Sequence, residues 1–207
     1  MKKIDLKKSF QDLYNPSSKE IAIVEVPRMN FLMIDGSGNP NTAQEYKDAV
    51  EALFSLSYTL KFMIKKMKEF DYVVMPLEGL WWADDTSKFA EDKNLWKWTA
   101  MIMQPEQVIE EAVDEAIEQL KKKKKFPALS RIRFESFHEG KAAQIMYFGP
   151  YSEEEPTISK IHEFIIQHKG KMVGKHNEIY LSDPRRMAPE KLKTILRQPM
   201  TLSSNCN

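Results

Sequence analysis

Three long stripes of apolar residues at helical spacing occur along the chain, and shorter apolar runs lie between them. In the stripes, apolar residues recur every three to four positions, which predicts helices at 42–68, 105–123 and 157–168. The first helix begins with the capping box Thr42-Ala43-Gln44-Glu45, and the second begins at Pro105, a residue favoured in a first helical turn. The shorter runs are typical of strands, so the pattern predicts an α+β fold.

The predicted elements occur in the same order twice, as two strands, a helix and two further strands. The predicted strands are 21–26, 31–34, 72–77 and 95–103 in the first half, and 131–137, 142–148, the run around Glu178 and 195–200 in the second. Within the first pair of strands of each half, the links around Pro27 and Gly140 are short and predict two hairpins. We therefore expect one domain over residues 1–207, with modules at about 20–104 and 131–200 joined by a connecting helix at 105–125.

Charge and composition narrow the function classes. The 31 Lys and Arg residues nearly balance the 30 Asp and Glu residues, so no overall basic field favours nucleic acid. No apolar run has the length of a signal peptide or a membrane span, which predicts a cytoplasmic protein without a membrane partner. Cys206 is the only cysteine, so no internal disulfide is expected.

The segment from His176 to Pro184 contains a carboxylate and a phenol with strand spacing. Side chains alternate along a strand, so Glu178 and Tyr180 share one face while Ile179 and Leu181 share the other. If Ile179 and Leu181 face a core, the acid and the phenol form either the floor of a binding site or a solvated sheet surface. In the second case Glu178 is an exposed carboxylate paired with a cross-strand lysine.

Four tryptophans in the first half supply large flat surfaces. On a strand Trp96 and Trp98 lie on one face, whereas Trp81 and Trp82 lie on opposite faces, so we expect at most one of the latter two to touch a ligand. Such rings stack on planar aromatic ligands. The alternative is that they are ordinary core residues.

Other kinds of site are not supported by the sequence. The four histidines, at positions 138, 162, 168 and 176, have no mutual spacing typical of metal ligands, and no metal is expected. The chain also contains no nucleophile elbow, phosphate-binding loop or dinucleotide fingerprint, so no cofactor is expected.

Three segments together resemble the GyrI-like small-molecule-binding family. They are Tyr147-Phe148-Gly149-Pro150-Tyr151, the run from Glu178 to Pro184 and the ending from Leu192 to Pro199. The resemblance implies two similar βαββ modules of the SHS2 type around a pseudo-twofold axis, with helices on one face of antiparallel sheets and a ligand cleft on the other. Only about 20 residues precede the first predicted strand, too few for a DNA-binding helix-turn-helix domain, so the chain resembles the stand-alone members.

The resemblance also implies a ligand class and a chemistry. Members bind planar, often cationic aromatic compounds, and some detoxify duocarmycin- and yatakemycin-like alkylators by hydrolysing their activated cyclopropane. On this basis Glu178 is expected to activate water with help from Tyr180. Tyr147 and the tryptophans are expected to contact ligand, namely Trp96, Trp98 and at most one of Trp81 and Trp82. The donor to the developing phenolate is not assigned. The alternatives are a non-catalytic module that sequesters or senses such compounds, and a protein that binds gyrase.

Overall fold

The computed structural model describes residues 3–85 and 92–202, and Cys206 lies outside these ranges. The chain divides into two compact units. Unit 1 consists of Met1–Ser9 and Met29–Phe137, and unit 2 consists of Phe10–Arg28 and His138–Asn207. Each unit contains helices and an antiparallel sheet, which confirms the predicted α+β class. The pseudo-twofold relation between the modules stays a prediction.

The described residues form nine strands and five α-helices. The strands are β1 Ala22–Val26, β2 Met29–Ser37, β3 Leu77–Trp82, β4 Lys97–Gln104, β5 Arg133–Phe137, β6 Gly140–Phe148, β7 Gly170–Met172, β8 His176–Tyr180 and β9 Lys193–Leu202. The α-helices are α1 Leu6–Ser9, α2 Gln11–Tyr14, α3 Gln44–Lys68, α4 Glu110–Lys123 and α5 Glu155–Gln167. No helix in the described residues is long and apolar enough to cross a membrane.

In unit 1 the strand order is β3-β4-β2-β5, and every pairing is antiparallel. The long helix α3 packs on β2 and β4 and also against α4. The middle of its apolar stripe, with Leu53, Leu60 and Ile64, is fully buried, which explains why the helix forms at the position that the sequence predicts. A buried hydrogen bond fixes its position on β4, because Gln104 Nε2 donates to Ser57 Oγ at 3.1 Å. Glu69 ends the helix in a left-handed conformation with φ 52°.

In unit 2 the strand order is β1-β6-β9-β8, and β7 also pairs with β9. Helix α5 packs on β6, β7 and β9. Its Ile161 and Ile165 join a buried apolar cluster with residues of β6 and β9. The other buried members of this α5 cluster are Ala143, Ile145, Leu196 and Met200.

Both predicted hairpins are wrong. Among the described strands, β1 pairs with β6, whereas β2 pairs with β4 and β5. A two-residue hairpin of the favoured type needs positive φ in its turn, and proline cannot provide it. Pro27 and Arg28 both have negative φ, so the chain leaves β1 without reversing onto it. The chain thus passes from unit 2 into unit 1 after Arg28 and returns at His138.

Two predicted boundaries are also wrong. The run at 72–77 forms only an isolated bridge at Tyr72, and strand β3 begins at Leu77, immediately after Pro76. A proline has no N–H for the ladder, so pairing begins after it. Helix α4 begins at Glu110 rather than Pro105, because Val108 N closes a separate turn onto Pro105 O at 2.9 Å.

Arg197 forms the centre of a buried polar network in unit 2. Its side chain is fully buried and donates to Glu139 Oε2 at 2.9 Å and to Gln144 Oε1 at 2.9 Å. A third bond reaches the Leu13 carbonyl oxygen at 2.8 Å. The network therefore connects β9 with β6, with the turn before β6 and with α2.

We predict that Arg197→Ala lowers the free energy of unfolding by about 3–5 kcal/mol, because it leaves the Glu139 carboxylate buried without its ion-pair partner. Urea denaturation followed by far-UV dichroism measures the change. The matched control is Arg185→Ala, since Arg185 pairs with Asp183 but is exposed, and its loss should leave the free energy of unfolding nearly unchanged. Equal losses in the two variants would contradict a structural role for the buried pair.

Candidate functional site

Glu178 is a buried carboxylate held by a phenol. It is 8% exposed, and its Oε2 accepts a hydrogen bond of 2.7 Å from Tyr180 Oη, two residues further along β8. Its partner across the ladder on β9 is Leu196. The alternative of an exposed carboxylate on a solvated sheet is therefore wrong. What the structure brings together is an acid and a phenol on one buried face.

His176 lies beside the same carboxylate. Its Nε2 is 3.8 Å from Glu178 Oε1, and within the described residues neither ring nitrogen has a hydrogen-bond partner. Burial, and secondarily the nearby His162, lower the pKa of His176 to about 3, against a smaller opposing effect of the Gln198 side chain. The imidazole is therefore neutral at physiological pH, and its contact with Glu178 is not an ion pair. Sequence spacing gave no reason to include this histidine in the site.

Tyr151 extends the site from another element. It begins the short 3₁₀ turn Tyr151–Glu153 after β6, and its ring meets that of Tyr180 edge-on, with centroids 5.4 Å apart and an angle of 74°. Gly149 allows the chain to reach this turn, because its φ of 149° is unfavourable for other residues. Burial raises the pKa of Tyr151 to about 12, with smaller effects from Glu154, Glu178 and Asp183. The phenol therefore stays protonated and can donate a hydrogen bond.

The ladder register shows which face of the unit 2 sheet carries these groups. Partners in an antiparallel ladder share a face, so Glu178 lies on the same side as Leu196, which packs in the α5 cluster. Ile179 pairs with Ile195 on the opposite side. The sequence predicts that Ile179 and Leu181 supply part of an apolar sheet face that a helix covers, and for Ile179 this prediction is wrong. The face that carries Ile179 also carries the Arg197 network. Asn177 joins this network, because its Nδ2 donates to Glu139 Oε1 at 3.2 Å.

Tyr147 lies on the helix side but not next to Glu178. Thr194 of β9 pairs with Tyr147 of β6 on one side and with Tyr180 of β8 on the other. The two tyrosines are therefore separated by two strand spacings, about 10 Å in total. Tyr147 Oη donates to the Pro150 carbonyl oxygen at 3.1 Å, and the ring packs against the α5 cluster. Between the two tyrosines, the buried Thr194 Oγ1 has no hydrogen-bond partner within the described residues. A ligand role for Tyr147 stays a prediction.

The four tryptophans belong to unit 1. Trp81 and Trp98 are opposite each other across β3 and β4, and Trp96 contacts Trp81 with ring centroids 5.4 Å apart. Tyr46 of α3 meets Trp98 edge-on at 5.0 Å. Trp98 is completely buried over Gly36, as expected of a core residue. Trp82 lies on the other face of the sheet, where it pairs with Lys97 of β4. A ligand role for any of the four tryptophans stays a prediction.

Comparison with known proteins gives the family. The model of the GyrI-like small molecule binding domain matches residues 19–199, so the chain belongs to this family of small-molecule-binding domains. A comparison with curated proteins finds no significant match.

Solved structures give the same fold. An uncharacterized conserved protein from Listeria innocua has a TM-score of 0.89 at 40% identity, over 96% of this chain and 100% of that one. A hydrolase from the same organism has a TM-score of 0.83 at 40% identity, over 96% and 100% of the two chains. The C-terminal domain of EcmrR, at 9% identity and a TM-score of 0.55 over 89% and 98%, shares the fold alone.

We predict that His176 makes the protein less stable in acid. Because burial lowers its folded pKa to about 3, the unfolded chain takes up a proton near pH 6.5 that the folded protein does not bind. The free energy of unfolding should therefore fall between pH 6.5 and pH 3, and His176→Gln should reduce this slope. Urea denaturation at a series of pH values measures it. An equal change in His168→Gln, at an exposed histidine, would contradict the assignment to His176.

Proposed function

We propose that this domain is a hydrolase for planar aromatic, often cationic compounds, with Glu178 and Tyr180 at its reactive centre. The proposed reaction is hydrolysis of the activated cyclopropane in duocarmycin- and yatakemycin-like alkylators, which detoxifies them. The observation that carries the proposal is the buried Glu178 carboxylate, held at 2.7 Å by the Tyr180 phenol. A relative described as a hydrolase, at 40% identity over nearly the whole chain, supports the reaction class.

The reaction needs a base at one end of the substrate. The oxygen of water attacks the strained methylene carbon, the cyclopropane bond breaks, and its electron pair moves through the ring to give a phenolate. Glu178 accepts the proton that the water loses, and the phenolate is then protonated. The hydrogen bond from Tyr180 fixes the direction of the carboxylate, so the base is held in one orientation before substrate arrives.

The same groups suit a delocalised cation. A buried carboxylate interacts strongly with a positive charge, because little water screens the pair. The Tyr180 and Tyr151 rings add aromatic surface, which attracts cations through its negative face. Neutral planar compounds need only the aromatic surface, so charge and shape make separable contributions to binding.

We predict that Glu178→Gln reduces turnover of a cyclopropanoid alkylator by about 10²–10⁴-fold, the usual contribution of a general base. The change keeps the size of the side chain and an acceptor for Tyr180 but removes the charge. The affinity for a cationic aromatic dye should fall by about 1–3 kcal/mol, whereas a neutral planar ligand should still bind. Product formation by chromatography and dye titration provide the two measurements.

The matched control is Glu163→Gln, which makes the same change at an exposed position of α5. It should leave turnover and dye affinity unchanged, and far-UV dichroism checks the fold of both variants. If Glu178→Gln folds normally and keeps full turnover, Glu178 is not the base. If the wild-type protein binds the alkylator tightly but forms no more than one equivalent of product, the domain sequesters such compounds instead of hydrolysing them.

The contribution of the Tyr180 phenol to turnover can be tested separately from that of Glu178. Tyr180→Phe removes the hydrogen bond to a charged acceptor, an interaction that contributes about 1.5–3 kcal/mol, so turnover should fall by about 10- to 100-fold. Neutral ligands should retain their affinity, because the ring is preserved. Tyr58→Phe, at a half-exposed tyrosine of α3, controls for loss of a hydroxyl. Full activity of Tyr180→Phe would show that the carboxylate does not need this phenol.

A further inference from the structure

Unit 2 contains a cavity away from Glu178. It has a volume of about 470 Å³ and opens between α5, β6 and the chain segment that precedes β1. This size lies within the range of small-molecule sites. The segment before β1 is fixed along β6, because Met146 N donates to the Ser17 carbonyl oxygen at 2.9 Å. The wall that this segment forms is therefore part of the folded unit.

The floor of the cavity is apolar and belongs to the protein core. Ile145 is buried in the α5 cluster, and Ile21 and Phe164 pack against that cluster while remaining partly accessible. A ligand with an apolar body would cover side chains that are already held in place, so little ordering cost accompanies binding.

The rim of the cavity is positively charged. Lys19 comes from the segment before β1, and Lys160 comes from α5. Within the described part of the chain neither ammonium group forms an ion pair, and none of the described residues lining the cavity is acidic. A third cation is close by, since Lys193 Nζ lies 5.4 Å from the centroid of the lining residue Phe148. A ligand with a negatively charged group would therefore complement this rim.

Polar groups on the lining also allow hydrogen bonds to such a group. Thr157 and Ser18 contribute hydroxyl groups, whereas the hydroxyl of Tyr147 already donates to Pro150 O. Tyr147 stands between this cavity and the Glu178 region, because Thr194 separates it from Tyr180 in the ladder. The cavity is therefore separate from the buried Glu178 carboxylate, and its rim carries the opposite charge.

We propose that this cavity is a second binding site, for a small amphipathic anion with an aromatic or alkyl body and a carboxylate or sulfonate group. The apolar body lies on Ile21, Ile145 and Phe164, and the anionic group lies between Lys19 and Lys160. The proposal does not depend on hydrolysis at Glu178.

The test uses two fluorescent probes that differ by one group: 8-anilino-1-naphthalenesulfonate and its uncharged parent, N-phenyl-1-naphthylamine. The wild-type protein should bind the sulfonate at least tenfold more tightly than the parent at this site. Lys19→Gln and Lys160→Gln should each weaken the sulfonate by up to about fivefold, the upper range for an exposed ion pair, and together by about 10- to 25-fold. Neither change should alter affinity for the uncharged parent.

Three controls locate the site. Lys171→Gln, at an exposed lysine of β7 outside the cavity, makes the same charge change and should leave sulfonate affinity unchanged. Thr157→Trp should fill the cavity and abolish binding of both probes there, while Glu178→Gln should leave sulfonate binding intact. Far-UV dichroism and urea denaturation verify that each variant folds.

Two results would overturn the proposal. The first is sulfonate affinity that does not respond to the double lysine change, or responds equally to Lys171→Gln. The second is sulfonate binding that survives Thr157→Trp but is altered by Glu178→Gln, because the anion would then bind near Glu178 and not in the cavity.

Discussion

The need to satisfy one buried guanidinium determines how unit 2 is organised. Arg197 lies in the middle of β9 and must place its charge next to Glu139, Gln144 and the Leu13 carbonyl, all on one face of the sheet. A slip of β9 by one residue would turn Arg197 towards the apolar α5 cluster, where a lone buried charge is very costly. The arginine therefore fixes the register of β9, and with it the faces of β6 and β8.

The position of the acid follows from that register. Once Arg197 faces the α2 side, Leu196 and Thr194 must face the α5 side, and their ladder partners Glu178 and Tyr180 go with them. The Arg197 network on one face and the Glu178–Tyr180 pair on the other are thus linked through a single strand. A change in the Arg197 network would disturb the Glu178 region by shifting β9, even though the two groups do not share a face.

Sequence reasoning succeeded where local periodicity decides the outcome. The α3 stripe and the alternation of Glu178 with Ile179 follow from geometry along a single segment, and both occur in the structure. It failed where the outcome depends on distant partners. The pairing of β1 with β6 and the burial of both faces of β8 are decided by residues far away in the chain. No local signal could show which of two buried faces receives the helix.

On the two faces of the unit 2 sheet, the buried polar groups are satisfied in different ways. The three hydrogen bonds that Arg197 donates are each shorter than 3 Å. On the helix side of the same strands, the buried His176 nitrogens and Thr194 Oγ1 lack hydrogen-bond partners within the described residues. Buried polar atoms without partners are costly, and folded proteins keep few of them. The His176 nitrogens and Thr194 Oγ1 lie on the face that carries Glu178 and Tyr180, where water or a bound molecule can complete their hydrogen bonds, so they support a binding role for that face.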